Sequence, residues 1–196
     1  MPSAITHIST LTPSGSAVAL GFASIPATYD DLLLIGTLKG ASTSHWSPFD
    51  SGNNFYFGHS SGTYWNAASN YNYQMLYDRY AGSAFLGYQN NNASAGTSDK
   101  IRMVGMPGSM NDANNVGGFW LYIPGYRNTT NSVGKGWQLF MGCNSNSTNA
   151  EQVVQLSAGV LPNTGTNNAI DTIDFYSGVG AFTTSSKIAM YGIKNS

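Results

Sequence analysis

The stretch Asp31-Leu32-Leu33-Leu34-Ile35-Gly36-Thr37-Leu38 decides the fold. Its apolar run, Leu32 to Ile35, follows the turn residues Pro26-Ala27-Thr28. The run is far too short to cross a bilayer, which takes about 20 apolar residues in a helix. A short apolar run between turn signals reads as a strand. Successive strand side chains point to opposite faces, so consecutive apolar residues make both faces apolar. Such a strand is expected to be covered twice: once by its own sheet partner, and once by another subunit, an internal loop or the opposite sheet curling over. The stretch Lys187-Ile188-Ala189-Met190-Tyr191-Gly192-Ile193 has the same two-sided character.

Outward from these two stretches the pattern stays β. Further strands are expected at 17–22, 54–57, 74–80, 85–88, 100–106, 118–123, 136–142, 153–156 and 170–176. Between them lie Gly, Pro, Asn, Asp and Ser. Pro124-Gly125 has the residues of a type II turn, and Asp50-Ser51-Gly52-Asn53-Asn54 those of a hairpin. No window sustains apolar residues at i, i+3 and i+4, and 111–115 offers one helical turn at most. Many short strands at this spacing imply a sandwich or barrel, and a two-sheet jelly roll leaves few long open edges. The expectation is therefore all-β: a single-domain antiparallel β-sandwich over 1–196, jelly-roll-like, with polar loops near 90–96, 107–117 and 144–150.

Composition adds an expectation about partners. Of the 196 residues, 41% are hydrophobic and only 9% charged, against about 25% charged in an average soluble domain. Asn, Ser, Thr and Gly replace the missing charge. They hydrogen-bond without the desolvation cost of an ion, so a partner covers them cheaply. Low charge also removes the self-repulsion that keeps monomers apart. Both points favour a chain that packs against neighbours, although a charge-poor secreted β-domain has the same composition. Net charge is −1, and no basic run offers phosphates the clustered cations that nucleic-acid binding needs. No basic amphipathic segment addresses a membrane surface. The lone Cys143 forbids an intrachain disulfide and reads as a small buried hydrophobe. The start, Met1-Pro2-Ser3-Ala4-Ile5-Thr6, lacks the basic and apolar regions of a signal peptide, so a cytoplasmic origin is expected.

Catalytic and metal chemistry find little to stand on. Asp30-Asp31 is the tightest carboxylate pair, but adjacent strand residues face opposite ways, so the pair reads as turn and cap chemistry. Asp171 and Asp174 likewise fail to converge, and no facing pair of carboxylates suits a glycosidase. Cys143 with the scattered His7, His45 and His59 does not give zinc spacing. The loop at Asp50 lacks the acidic positions and closing Glu of a calcium hand. Gly134-Lys135-Gly136 is no phosphate loop, because no helix follows it. No enzyme activity, metal or cofactor is expected. The candidate recognition surface is the aromatic middle, where Trp46, Tyr64, Trp65, Tyr71 and Tyr73 stand among Asn and Ser. Flat aromatics beside amides suit a glycan platform, a protein interface or plain core, and all three readings stay open. Trp46, Tyr64 and Trp65, nearest to turn-like sequence, are the best exposed candidates.

The ends of the chain carry a resemblance. Phe22-Ala23-Ser24-Ile25-Pro26-Ala27-Thr28-Tyr29-Asp30-Asp31-Leu32-Leu33-Leu34-Ile35-Gly36 resembles a stretch of tailed-phage virion proteins that reads sIPxTYxxLxLxg. Ala181 to Lys194, with Phe182, Ser186, Ile188 and Met190-Tyr191-Gly192-Ile193, resembles their closing stretch, and Asp171-Thr172-Ile173-Asp174-Phe175 their penultimate strand. The stretch from Ala41 to Gly165 lies outside the resemblance. The family comprises jelly-roll-type structural proteins of tailed bacteriophages: capsid decoration or cement proteins and related fibre domains. The resemblance implies a virion protein, made in the host cytoplasm, whose partners are its own copies, with a trimer expected, and other virion proteins such as the major capsid protein. No heptad stem precedes the β-region, which favours capsid decoration over the alternative, a tail-tip or fibre module recognising a host surface glycan.

Overall fold

The structure is a computed structural model. It describes residues 4–15, 17–41, 53–59, 63–64, 72–80, 88–91, 101–103, 116–129, 134–144, 152–161, 168–177 and 180–195. These residues form β1 (Ala4–Leu11), β2 (Ala19–Phe22), β3 (Asp31–Leu38), β4 (Asn53–His59), β5 (Thr63–Tyr64), β6 (Asn72–Tyr80) and β7 (Tyr88–Asn91). They continue as β8 (Ile101–Met103), β9 (Gly117–Ile123), β10 (Lys135–Asn144), β11 (Gln152–Leu161), β12 (Thr172–Tyr176) and β13 (Lys187–Lys194). No helix occurs among the described residues.

The strands make two antiparallel sheets. The large sheet has eight strands in the order β1-β13-β3-β9-β10-β11-β6-β7, and the small sheet has the order β2-β12-β4-β5, with β8 also on β4. The result is an antiparallel, jelly-roll-like β-sandwich in one domain, as the strand spacing implied. The core lies between the sheets. Leu32, Leu34 and Leu38 of β3, Leu121 and Ile123 of β9, and Leu139 and Met141 of β10 point inward and are fully buried. From the small sheet come Phe55, Phe57, Ile173 and Phe175, also fully buried. Aromatic contacts span the gap: Phe55 meets Trp137 edge-on with centroids 5.8 Å apart, and Phe119 meets Phe175 at 5.6 Å. Each buried Leu or Phe contributes about 1.5–3 kcal/mol, and such edge-on rings add directional preference.

Most expected strands are present, with instructive differences. β1 was not legible: its Thr, His and Ser alternate with little burial, and it forms the sheet edge with a register shift between His7 and Ser9. β11 runs on to Leu161, beyond the expected end at Leu156, because Ser157 turns inward to hydrogen-bond Gln155 and the β10 ladder continues to Lys135. Of the strand expected at 85–88 only Tyr88 is described, and it opens β7 (Tyr88–Asn91), so Asn90 and Asn91 belong to a strand rather than a polar loop. Gly117 and Asn144, at the margins of the other two expected loops, also lie in strands. Val116 is described and leads directly into β9; the rest of those loops, residues 50–52 of the expected hairpin turn, and the helical turn at 111–115 lie outside the described residues. Pro124-Gly125 does turn: Gly125 has a φ of 58°, and its carbonyl accepts the Asn128 N–H at 2.9 Å.

Candidate functional site

The same strands that build the core present a second face to solvent. Between the inward positions of β3, β9, β10 and β11 stand Leu33, Ile35, Trp120, Phe140, Val154, Leu156 and Val160. Ile35 is 49% exposed, Phe140 41% and Leu156 50%, unusual for side chains of this kind in the middle of a sheet. Strand register aligns them. Leu76 of β6 lies opposite Leu156, Leu156 opposite Phe140, Phe140 opposite Trp120, Trp120 opposite Ile35, and Ile35 opposite Ala189. One apolar row thus crosses six strands. At its centre the Trp120 and Phe140 rings stack, with centroids 6.3 Å apart and planes inclined by 22°.

Beside this aromatic ridge lies a hollow. Gly118 and Gly142 are paired in register one step along the strands from Trp120 and Phe140. A methyl group added to Gly118 would meet no atom within 4 Å. The hollow, of about 660 Å³, is lined by Leu33, Ile35, Trp120 and Phe140 over a floor of Gly36, Gly118 and Gly142. Beyond Asp31, no outward position of β3, β9, β10 or β11 carries a charged side chain. Contiguous exposed apolar patches occur at protein, ligand and membrane contact sites.

At one end the outer face is closed by polar side chains. The Asp31 carboxylate accepts hydrogen bonds from the Tyr122 hydroxyl at 2.8 Å, the Gly125 N–H at 2.8 Å and the Asn195 side-chain amide at 3.0 Å. Burial pushes the Asp31 carboxyl up, but these hydrogen bonds outweigh it and hold the group below its ordinary value. Burial and the neighbouring carboxylate together push Tyr122 up to about 12. Asp30 accepts the Asn195 N–H at 2.7 Å and pairs with Arg127. The two carboxylates therefore converge on Asn195, contrary to the expectation that they face apart. Asp30 precedes β3 and does not follow its alternation. Tyr29 lies over Gly192, where any Cβ would strike the ring. The Lys194 ammonium donates to the Thr28 carbonyl at 2.9 Å, and the Ile25 N–H to the Asp171 carbonyl at 2.9 Å. The three stretches singled out at the two ends of the sequence thus bind one another in a clasp.

The aromatic middle is divided. Phe55 and Phe57 are core. Tyr64 lies in β5 of the small sheet and Tyr73 in β6 of the large one, so the fold puts these two candidates in different sheets. Their side chains, and all of Trp46, Trp65 and Tyr71, lie outside the described residues. Sequence reasoning missed Trp120, Phe140, Leu156 and the paired glycines. Their signal was present: Phe119-Trp120-Leu121-Tyr122-Ile123 is as two-sided as Leu32 to Ile35.

Cys143 packs against the core, and burial pushes its thiol up to about 12, so little reactive thiolate forms at neutral pH. Among the described residues no three His, Cys, Asp or Glu side chains cluster as metal ligands, and no helix is long and apolar enough to cross a membrane. Comparison of the chain with protein-family models, curated proteins and solved structures finds no significant match.

Proposed function

We propose that the chain is a non-enzymatic structural subunit of a tailed-phage particle, a capsid decoration or cement protein that works through protein–protein contacts. The observation that carries the assembly part is the outer face of the large sheet, an uncharged apolar row across six strands beside a glycine-floored hollow. Water against such a face is costly, at about 25 cal/mol per Å² of apolar surface, and a protein partner removes that cost. The low charge of the whole chain supports the same reading. The phage part is supported by the resemblance of the two ends, whose residues are those of the clasp and so act together in holding the fold.

Two measurements test the proposal. Quantitative mass spectrometry of purified particles should find the chain in many copies, and purified chain should bind undecorated shells without host cells. A few copies per particle, with no shell binding and saturable adsorption to host cells, would replace the reading with a tail-tip receptor module.

A further inference from the structure

We infer that the open face of the large sheet is covered by a second copy of this chain, packed face to face about a two-fold axis that lies in the interface and runs across the strands. The inference rests on the assembly reading for taking this face as a protein contact, and it commits the face to one occupant.

Charge narrows the occupant first. A partner bringing charged side chains to this face would have to desolvate them against Trp120, Phe140, Ile35 and Leu156, which offer no compensating groups. Over the ridge and hollow of β3, β9, β10 and β11 a second copy brings none, because the same uncharged positions meet themselves; Lys187 of β13 and Asp78 of β6 stand at the two ends of the hollow's row, at the margins of the contact. Sheets packed face to face in this way form interfaces that resemble the core of a sandwich.

Shape narrows it further. The ridge of Trp120 and Phe140 and the hollow over Gly118 and Gly142 are one step apart along the same two strands. That step is about 6.6 Å, two residues of strand rise. A two-fold axis lying across the strands, midway between ridge and hollow, reverses strand direction and keeps strand order. It lays Trp120 of each copy over Gly118 of the other, and Phe140 over Gly142. The same operation sets Leu156 against Val154 on one flank, and Ile35 against Thr37 on the other. Ridge-in-hollow self-complementarity is what an isologous two-fold contact requires. Among the described residues nothing fills the space over Gly118.

Size agrees. The six strands from β13 to β6 span five spacings of about 4.8 Å and about seven residues of 3.3 Å, roughly 550 Å² in plan. All eight strands give close to 800 Å², the area each partner contributes to a stable interface of standard size.

Sedimentation velocity on the full chain, with thermal melting as a check on folding, tests the inference. The wild-type chain should be a dimer at micromolar concentration. Gly118→Leu puts a side chain into the hollow at a position where an added Cβ meets no described atom, and Phe140→Lys puts a charge on the ridge. Each should weaken the dimer by at least about tenfold, while the melting temperature at concentrations too low for dimer stays that of the wild-type chain. If Phe140→Lys does not fold, Gly118→Leu decides. A wild-type chain that stays monomeric to about 100 µM, one that forms the trimer expected from the sequence, or a dimer indifferent to both substitutions would overturn the inference. A monomer that still binds shells would sink this inference and leave the proposed function standing. A dimer sensitive to Gly118→Leu that binds no shells would do the reverse.

Discussion

The two faces of the large sheet are made by the same strands from the same kinds of residue, and they differ in what covers them. Leu34 and Ile35 are neighbours in β3; one is fully buried under the small sheet and the other is 49% exposed. Leu121 and Trp120, and Leu139 and Phe140, repeat the contrast in β9 and β10. The inner face is closed by Phe55, Phe57 and Phe175 of the small sheet. Among the described residues the outer face has no such lid and is closed only at one end, by the hydrogen bonds around Asp31. Apolar residue type therefore does not by itself say where a protein's core ends. One strand can serve two apolar environments, one supplied by its own fold and one from outside.

The sharpest way to break the comparison is to truncate each face in turn. Leu34→Ala should cost about 2–5 kcal/mol, read by denaturant unfolding, because the cavity it leaves lies in a closed core. Ile35→Ala, one residue away, should cost well under 1 kcal/mol in the isolated chain. Equal losses would mean that the outer face is sealed after all.

The clasp stands between these extremes. Gly192→Ala drives a methyl group into the Tyr29 ring, and should cost about 1–3 kcal/mol as an overpacking change. The same substitution at Gly118 meets open space and should leave the melting temperature unchanged or slightly raised.

A smaller effect follows from Asp31. Its carboxyl is held below its ordinary value in the fold, so between the two values the unfolded chain binds the proton and the fold does not. The stabilisation is present above the ordinary carboxylate pKa and is lost as the pH falls through the lowered one. Asp31→Asn should flatten the acid limb of melting temperature against pH below about pH 4. Tyr122→Phe, which removes one of the three donors, should flatten it less and cost about 1 kcal/mol at neutral pH.

The smallest effect expected on stability is at Phe140. Phe140→Ser should change unfolding by about 0.5 kcal/mol or less while raising the solubility of the isolated chain. A large loss of stability would place Phe140 in the core rather than on an assembly face.

Much of the inner face was legible in the sequence, because burial and alternation are local signals. β3, β9, β10 and β13 were expected close to where they lie, and the two-sided apolarity of Leu32 to Ile35 raised the question of a second cover. The clasp was not legible. It joins Thr28, Tyr29, Asp30 and Asp31 to Gly192, Lys194 and Asn195 through contacts more than 160 positions apart, and only the fold supplies that register. Asp30 and Asp31 looked divergent for the same reason: strand alternation says nothing about a residue that precedes the strand. The apolar row was hidden too, since it depends on which strands are neighbours, and β6 follows β11 in space though not in sequence. The aromatic middle drew attention by density alone, while Trp120 and Phe140 gained their importance from being adjacent across two strands.

The position of β13 has a consequence for the order of events during synthesis. It lies between β1 and β3, pairing residues 4–11 on one side and 31–37 on the other. As the chain leaves the ribosome, β1 and β3 both wait for a shared neighbour until residues 187–194 have been made. Until then β3 has an unpaired edge, Gly192 is not there for Tyr29 to cover, and Asp30 and Asp31 lack Asn195. Pairings this distant in sequence form slowly, and open strand edges invite wrong partners meanwhile. A cell making many copies at once therefore holds, for the length of each translation, a population of chains whose largest sheet still lacks the strand next to its edge.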